Sequence, residues 1–64
     1  MNIYIVKSLD SNDGLGFIEG STEQEVRTKL NTLGIRNIAL LVAKENATAQ
    51  DLAELQDTLP VLNP

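Results

Sequence analysis

The side chains able to do chemistry in this 64-residue chain are nearly all carboxylates: nine Asp and Glu face five Lys and Arg, with neither His nor Cys. Two carboxyls can share acid and base work when a desolvated pocket drives their pKa values apart. Without imidazole or thiol there is no ordinary triad, no thiolate nucleophile and no base titrating near neutrality. The usual zinc ligands are missing too. A domain of this size has little interior in which to build a pocket. The inventory argues against an enzyme, and no catalytic residue, metal or cofactor is expected.

Two groupings of acids still deserve weighing. Asp10-Ser11-Asn12-Asp13-Gly14 has the look of a calcium loop. An EF-hand, however, needs its glycine at position 6, a bidentate Glu at position 12 and helical flanks. Here the glycine comes one residue early, Ser21 stands at position 12, and the flanks read as strands. A hairpin turn is the preferred reading. A small enzyme or ligand-binder using Asp10, Asp13 or Glu19 at the hairpin end is the alternative. Asp51, Glu54 and Asp57 recur at i, i+3 and i+6, an acidic ridge on a helix. Its plain role is a solvated face; its sharper one is a surface that docks on a basic patch and mimics nucleic-acid phosphates.

Gly14, Gly16 and Gly20 resemble a phosphate loop only by count. The dinucleotide fingerprint needs the third glycine three residues after the second and a helix opening directly from it. Glycines within a hairpin strand instead suggest a bulge and close backbone approach under a helix. Asn46-Ala47-Thr48 matches a glycosylation acceptor, but Thr48 is better explained as a helix cap.

Charge narrows the partners. All five bases (Lys7, Arg27, Lys29, Arg36, Lys44) lie in the first 44 residues, matched there by Asp10, Asp13, Glu19, Glu23 and Glu25. The net charge of −4 therefore resides in Glu45, Asp51, Glu54 and Asp57. So acidic a chain has little with which to displace counterions from DNA or RNA, and direct nucleic-acid binding is not expected. The longest apolar run, Ile38 to Ala43, falls far short of the roughly 20 residues of a membrane span. No signal-peptide pattern follows Met1, so a soluble, cytoplasmic protein without membrane contact is expected.

The elements that position these residues are legible. Residues 2–9 read as a strand with Ile3 and Ile5 on one face and Tyr4 and Val6 on the other, a pattern for a central strand. The turn at residues 10–14 leads to a second strand at 15–19, where Gly16, Gly20 and Glu19 suit an edge. A helix over about 21–33 follows, capped by Ser21 with Gln24 or Thr22 with Glu25. Val26, Leu30 and Leu33 form its apolar stripe, Glu23–Arg27 and Glu25–Lys29 are acid-first i,i+4 pairs, and Gly34 with Ile35 forms a Schellman ending. Residues 38–43 make a third strand, apolar on both faces. A second helix has Thr48 as N-cap, Asp51 at N3 and a stripe of Ala49, Leu52, Leu55 and Leu59, with Pro60 ending it. Residues 61–64 are a short apolar tail.

The chain is thus a single α+β domain over residues 1–64, ββαβα, with a three-stranded mixed sheet and two helices. Order 2-1-3 places the twice-apolar first strand in the middle, by a right-handed crossover that skips one strand; order 1-2-3 is the competitor. Helices on opposite faces cover the sheet. Helices on the same face leave Tyr4, Val6, Leu41 and Ala43, or the alternate set, facing water. Strand three, an edge in order 2-1-3, is a second adhesive surface. The expectation is a small non-enzymatic protein-binding module that occupies a partner protein as inhibitor or adaptor, such as a phage or mobile-element accessory protein, and forms a homodimer through its sheet. Tyr4 and Leu41 are its candidate sheet-surface contacts, and Asp51, Glu54 and Asp57 its charged ones.

Overall fold

The computed structural model describes residues 1–62 and contains five elements: β1 (Asn2–Ser8), β2 (Gly14–Gly20), α1 (Glu23–Thr32), β3 (Ile38–Lys44) and α2 (Ala49–Leu55). The sheet runs β2-β1-β3, with the first strand in the centre. Both neighbouring pairs are antiparallel, so the sheet is antiparallel throughout and not mixed. The reason is topological. Crossing over β1 makes β2 and β3 run the same way, but they never touch.

Alternation along β1 builds two cores, one on each face. Tyr4 and Val6 join Ile18 of β2 and Val26 and Leu30 of α1, with Ile35, Ile38, Leu40 and Leu62 packed around them. Ile3 joins Phe17, Ala47 and Leu52 of α2 on the other side, with Ile5, Leu55, Leu59 and Val61 around them. The helices therefore lie on opposite faces. No helix among the described residues is long and apolar enough to cross a membrane.

Local chemistry sets the ends of α1. Of the two possible caps Thr22 is the one used, its hydroxyl accepting from the Glu25 N–H at 3.1 Å. The Glu25 carboxylate reaches beyond the cap to the Ser21 N–H at 2.8 Å, so the reciprocal bond of a capping box falls one residue early. At the other end the Ile35 N–H bonds the Leu30 carbonyl and the Gly34 N–H bonds that of Asn31, both at 3.0 Å. With Gly34 at φ 76°, this is the Schellman ending. Gly20 is tightly covered: a Cβ there would lie 2.6 Å from Val26 Cγ2.

The hairpin differs from expectation in one detail. Asn12, not Gly14, takes the positive φ of 61°, and Gly14 opens β2. The pairing then slips between Val6–Gly16 and Lys7–Gly14, which leaves Leu15 as the extra residue of a bulge.

α2 is shorter than its apolar stripe. It ends at Leu55, and Leu59 reaches its core from the turns that follow. There the Thr58 N–H and hydroxyl both bond the Leu55 carbonyl, at 3.1 and 2.8 Å. Thr58 thus closes the helix end before Pro60 is reached.

The chain then returns to the sheet. The Phe17 N–H donates to the Pro60 carbonyl at 2.9 Å and the Leu62 N–H to the Phe17 carbonyl at 2.7 Å, a parallel bridge on the outer side of β2. Val61 enters the α2-side core and Leu62 the α1-side core, so the tail straddles the edge. Gly16 permits this, since a Cβ there would stand 2.5 Å from the Pro60 oxygen.

Candidate functional site

The two edges of the sheet end up unlike. The outer side of β2 is bonded by residues 60–62, while β3 has only β1 for a neighbour, leaving its other side without a strand among the described residues. Helices do not compensate, because both α1 and α2 pack chiefly over β2 and β1. From Leu41 to Lys44 the strand is exposed, with Leu41 50% and Val42 53% open to solvent.

The direction of the free backbone groups follows from one bond. The Leu9 N–H donates to the Asn37 carbonyl at 3.0 Å, continuing the β1–β3 register one pair past Ser8–Ile38. Hydrogen-bonded pairs alternate in an antiparallel ladder, so Lys7–Ala39 and Ile5–Leu41 share the phase of Leu9–Asn37. Ile38, Leu40 and Val42 then turn their N–H and C=O groups outward. Side chains divide by face: Leu40 and Val42 pair with Val6 and Tyr4 on the α1 side, and Leu41 with Ile5 on the α2 side.

Of the two sheet residues singled out from the sequence, Leu41 lies on this surface and Tyr4 does not. Tyr4 is 6% exposed in the core beneath α1, and its proposed surface role is corrected accordingly. Lying under α1, the Tyr4 side chain is not open to a partner. Val42 takes its place, and its position at an edge in order 2-1-3 was the available signal.

The acidic ridge does not form as a ridge. α2 stops at Leu55, which puts Asp57 in the following turns. Asp51 faces its own chain: one carboxylate oxygen accepts from Lys44 Nζ at 2.9 Å, and the other from the Thr48 N–H at 2.9 Å and hydroxyl at 3.2 Å. The Thr48 hydroxyl in turn accepts from the Asp51 N–H, completing a capping box. The Lys44 hydrogen bond, followed by the Thr48 backbone bond, holds the Asp51 carboxyl below its ordinary range. Among the described residues, Glu54 and Asp57 of this group are exposed and have no such partners.

Asp10 and Asp13 lie in the turn, and Glu19 lies apart from them. Asp10 accepts from the Asn37 amide at 2.6 Å, and the Asp13 carbonyl from the Ser8 N–H at 2.9 Å. Glu19 pairs with Ile3 at the far end of the hairpin, so it cannot act with them. Among the described residues no three acids gather closely enough to hold a metal ion. An open groove of about 310 Å³ lies between the end of α1 and the loop into β3, walled by Arg27, Asn31, Arg36, Asn37, Leu9 and Ile38. It contains no carboxylate, and Arg27 is bound to Glu23 at 2.9 Å.

Comparison with protein families, with curated proteins and with solved structures finds no match to this chain.

Proposed function

We propose that this chain is a small, non-enzymatic, cytoplasmic protein-binding module that acts by occupying a partner, as an inhibitor or adaptor, through the open edge of β3. The observation that carries this reading is the inequality of the two edges: β2 is covered by the chain's own tail, while β3 presents outward amides beside exposed Leu41 and Val42. An unpaired edge is a template for strand addition, in which main-chain bonds supply affinity and flanking apolar side chains supply specificity. Two of the acids singled out from the sequence, Asp51 and Asp10, are engaged within the fold, by Lys44 and Asn37.

Capture from a native cell extract tests this. Val42→Pro removes an outward N–H without touching the ladder to β1, and proline is tolerated at such edge positions. Wild type should retain a partner at both low and high salt, and Val42→Pro should lose it. Retention by Val42→Pro, or loss only on charge reversal at Glu54 and Asp57, refutes the edge as the docking surface.

A further inference from the structure

Resting on β3 as the docking edge, we propose that the segment seated there is an extended strand of another protein that carries an acidic side chain just past Ile38, over the groove at the end of α1. The edge that can pair regularly is short. Pairing with β1 slips between Ile3–Lys44 and Tyr4–Val42, which leaves Ala43 in a bulge, and Asn37 bends the chain at the other end with φ 57°. A docked strand therefore pairs with Ile38, Leu40 and Val42 and finds no regular edge beyond them.

The bend is what makes the groove. Ile35 is held to α1 by the bond from its N–H to the Leu30 carbonyl, so residues 35–37 leave the line of β3 and return towards the helix. Arg27 and Asn31, one helical turn apart, form the opposite wall. Ile38 lies at the mouth, on the α1 face of the sheet. Residues paired across strands share a face, and so do residues two apart along a strand. The partner residue opposite Ile38 thus points to the α1 face, and the residue two beyond it, where β3 has bent away, points over the groove. A volume of about 310 Å³ is at the lower end of the roughly 300–1,000 Å³ of small-molecule sites, and the groove is open. It suits a side chain held by its own backbone better than a free ligand.

The wall chemistry selects an acid. Glu23 is bound to Arg27 at 2.9 Å and Asp10 to the Asn37 amide at 2.6 Å, so both nearby carboxylates are engaged. Arg36 is exposed, lines the groove and forms no ion pair among the described residues. Its guanidinium can offer a carboxylate two parallel N–H bonds. Antiparallel docking, as β1 pairs with β3, places the acid on the C-terminal side of the partner's apolar residues.

The probe is a synthetic heptapeptide, Val-Thr-Val-Thr-Val-Thr-Glu, blocked at both ends. Its valines fall opposite Val42, Leu40 and Ile38, and its glutamate two residues beyond. In NMR titrations it should shift the amides of Ile38–Val42 and the Arg36 Nε–H. Lys in place of the peptide's Glu should weaken binding about fivefold, and reversing the peptide order should do the same. Arg36→Glu should weaken the Glu peptide to a similar extent and restore the Lys peptide, while Val42→Pro should weaken every peptide. Equal affinity for the Glu and Lys peptides, with shifts confined to β3, overturns the acidic partner and leaves the docking edge intact. Equal affinity for the reversed peptide, binding insensitive to Val42→Pro, or no binding of any peptide at millimolar concentration also overturns the proposal. Capture by wild type and Val42→Pro judges the edge separately.

Discussion

Asp51 accepts hydrogen bonds from Lys44 Nζ and from the Thr48 N–H and hydroxyl, and its carboxyl titrates below the ordinary range as a result. Its folded pKa is the lower one, so ionised Asp51 stabilises the fold at neutral pH. That contribution begins to fall as the pH descends past about 3.9, the value of an unperturbed Asp, and is gone below the folded value. Asp51→Asn should therefore lower stability at pH 7 and flatten this part of the acid limb in urea titrations repeated across pH. Tyr4 and Leu41 give a contrast of place. Tyr4→Ala empties a site 6% exposed and should cost about 3 kcal/mol, a large share of what so small a domain has. Leu41→Ala removes a side chain 50% exposed and should cost less than about 1 kcal/mol. Denaturant midpoints for the pair check the placement. Their exposure was not legible from type or spacing, since both are apolar residues of strands that are apolar on both faces.

Caps decide the elements. α2 has seven residues, too few to hold a helix by propensity, so its capping box and its contact through Leu52 maintain it. Thr48→Ala should cost about 1 kcal/mol and reduce the helical signal in circular dichroism. These devices were readable because they act within three to five residues: Thr48 with Asp51, Thr22 with Glu25, Gly34 and Ile35 with Asn31 and Leu30. The end of α2 was not, because Ala49, Leu52, Leu55 and Leu59 keep helical spacing although the backbone leaves the helix after Leu55. Both Leu55 and Leu59 reach the same core, and spacing records only that they face it.

For the molecule as a whole, the tail at residues 60–62 determines which edge is available. Val61 and Leu62 are half-buried on opposite faces, and their backbone occupies the outer side of β2. A chain ending at Leu59 should lose about 2 kcal/mol from the apolar contacts and expose a second free edge. Chemical denaturation should show the loss, and light scattering should show more self-association than for the full chain. Gly16→Ala should produce part of the same effect in the full chain, since its Cβ would stand 2.5 Å from the Pro60 oxygen.

The sequence by itself determined the ββαβα order, the α2 cap, the turn and the bulge, favoured the central place of β1, and narrowed the α1 cap to Ser21 or Thr22. Each follows from residues close along the chain or from the two-faced apolar pattern of a single strand. Tertiary structure alone decided that Tyr4 is core, that Asp51 is a partner of Lys44, and that one edge is closed and the other open. Those outcomes depend on segments far apart in the chain meeting in space. Pro60 against Phe17 is one such meeting, and no local spacing encodes it.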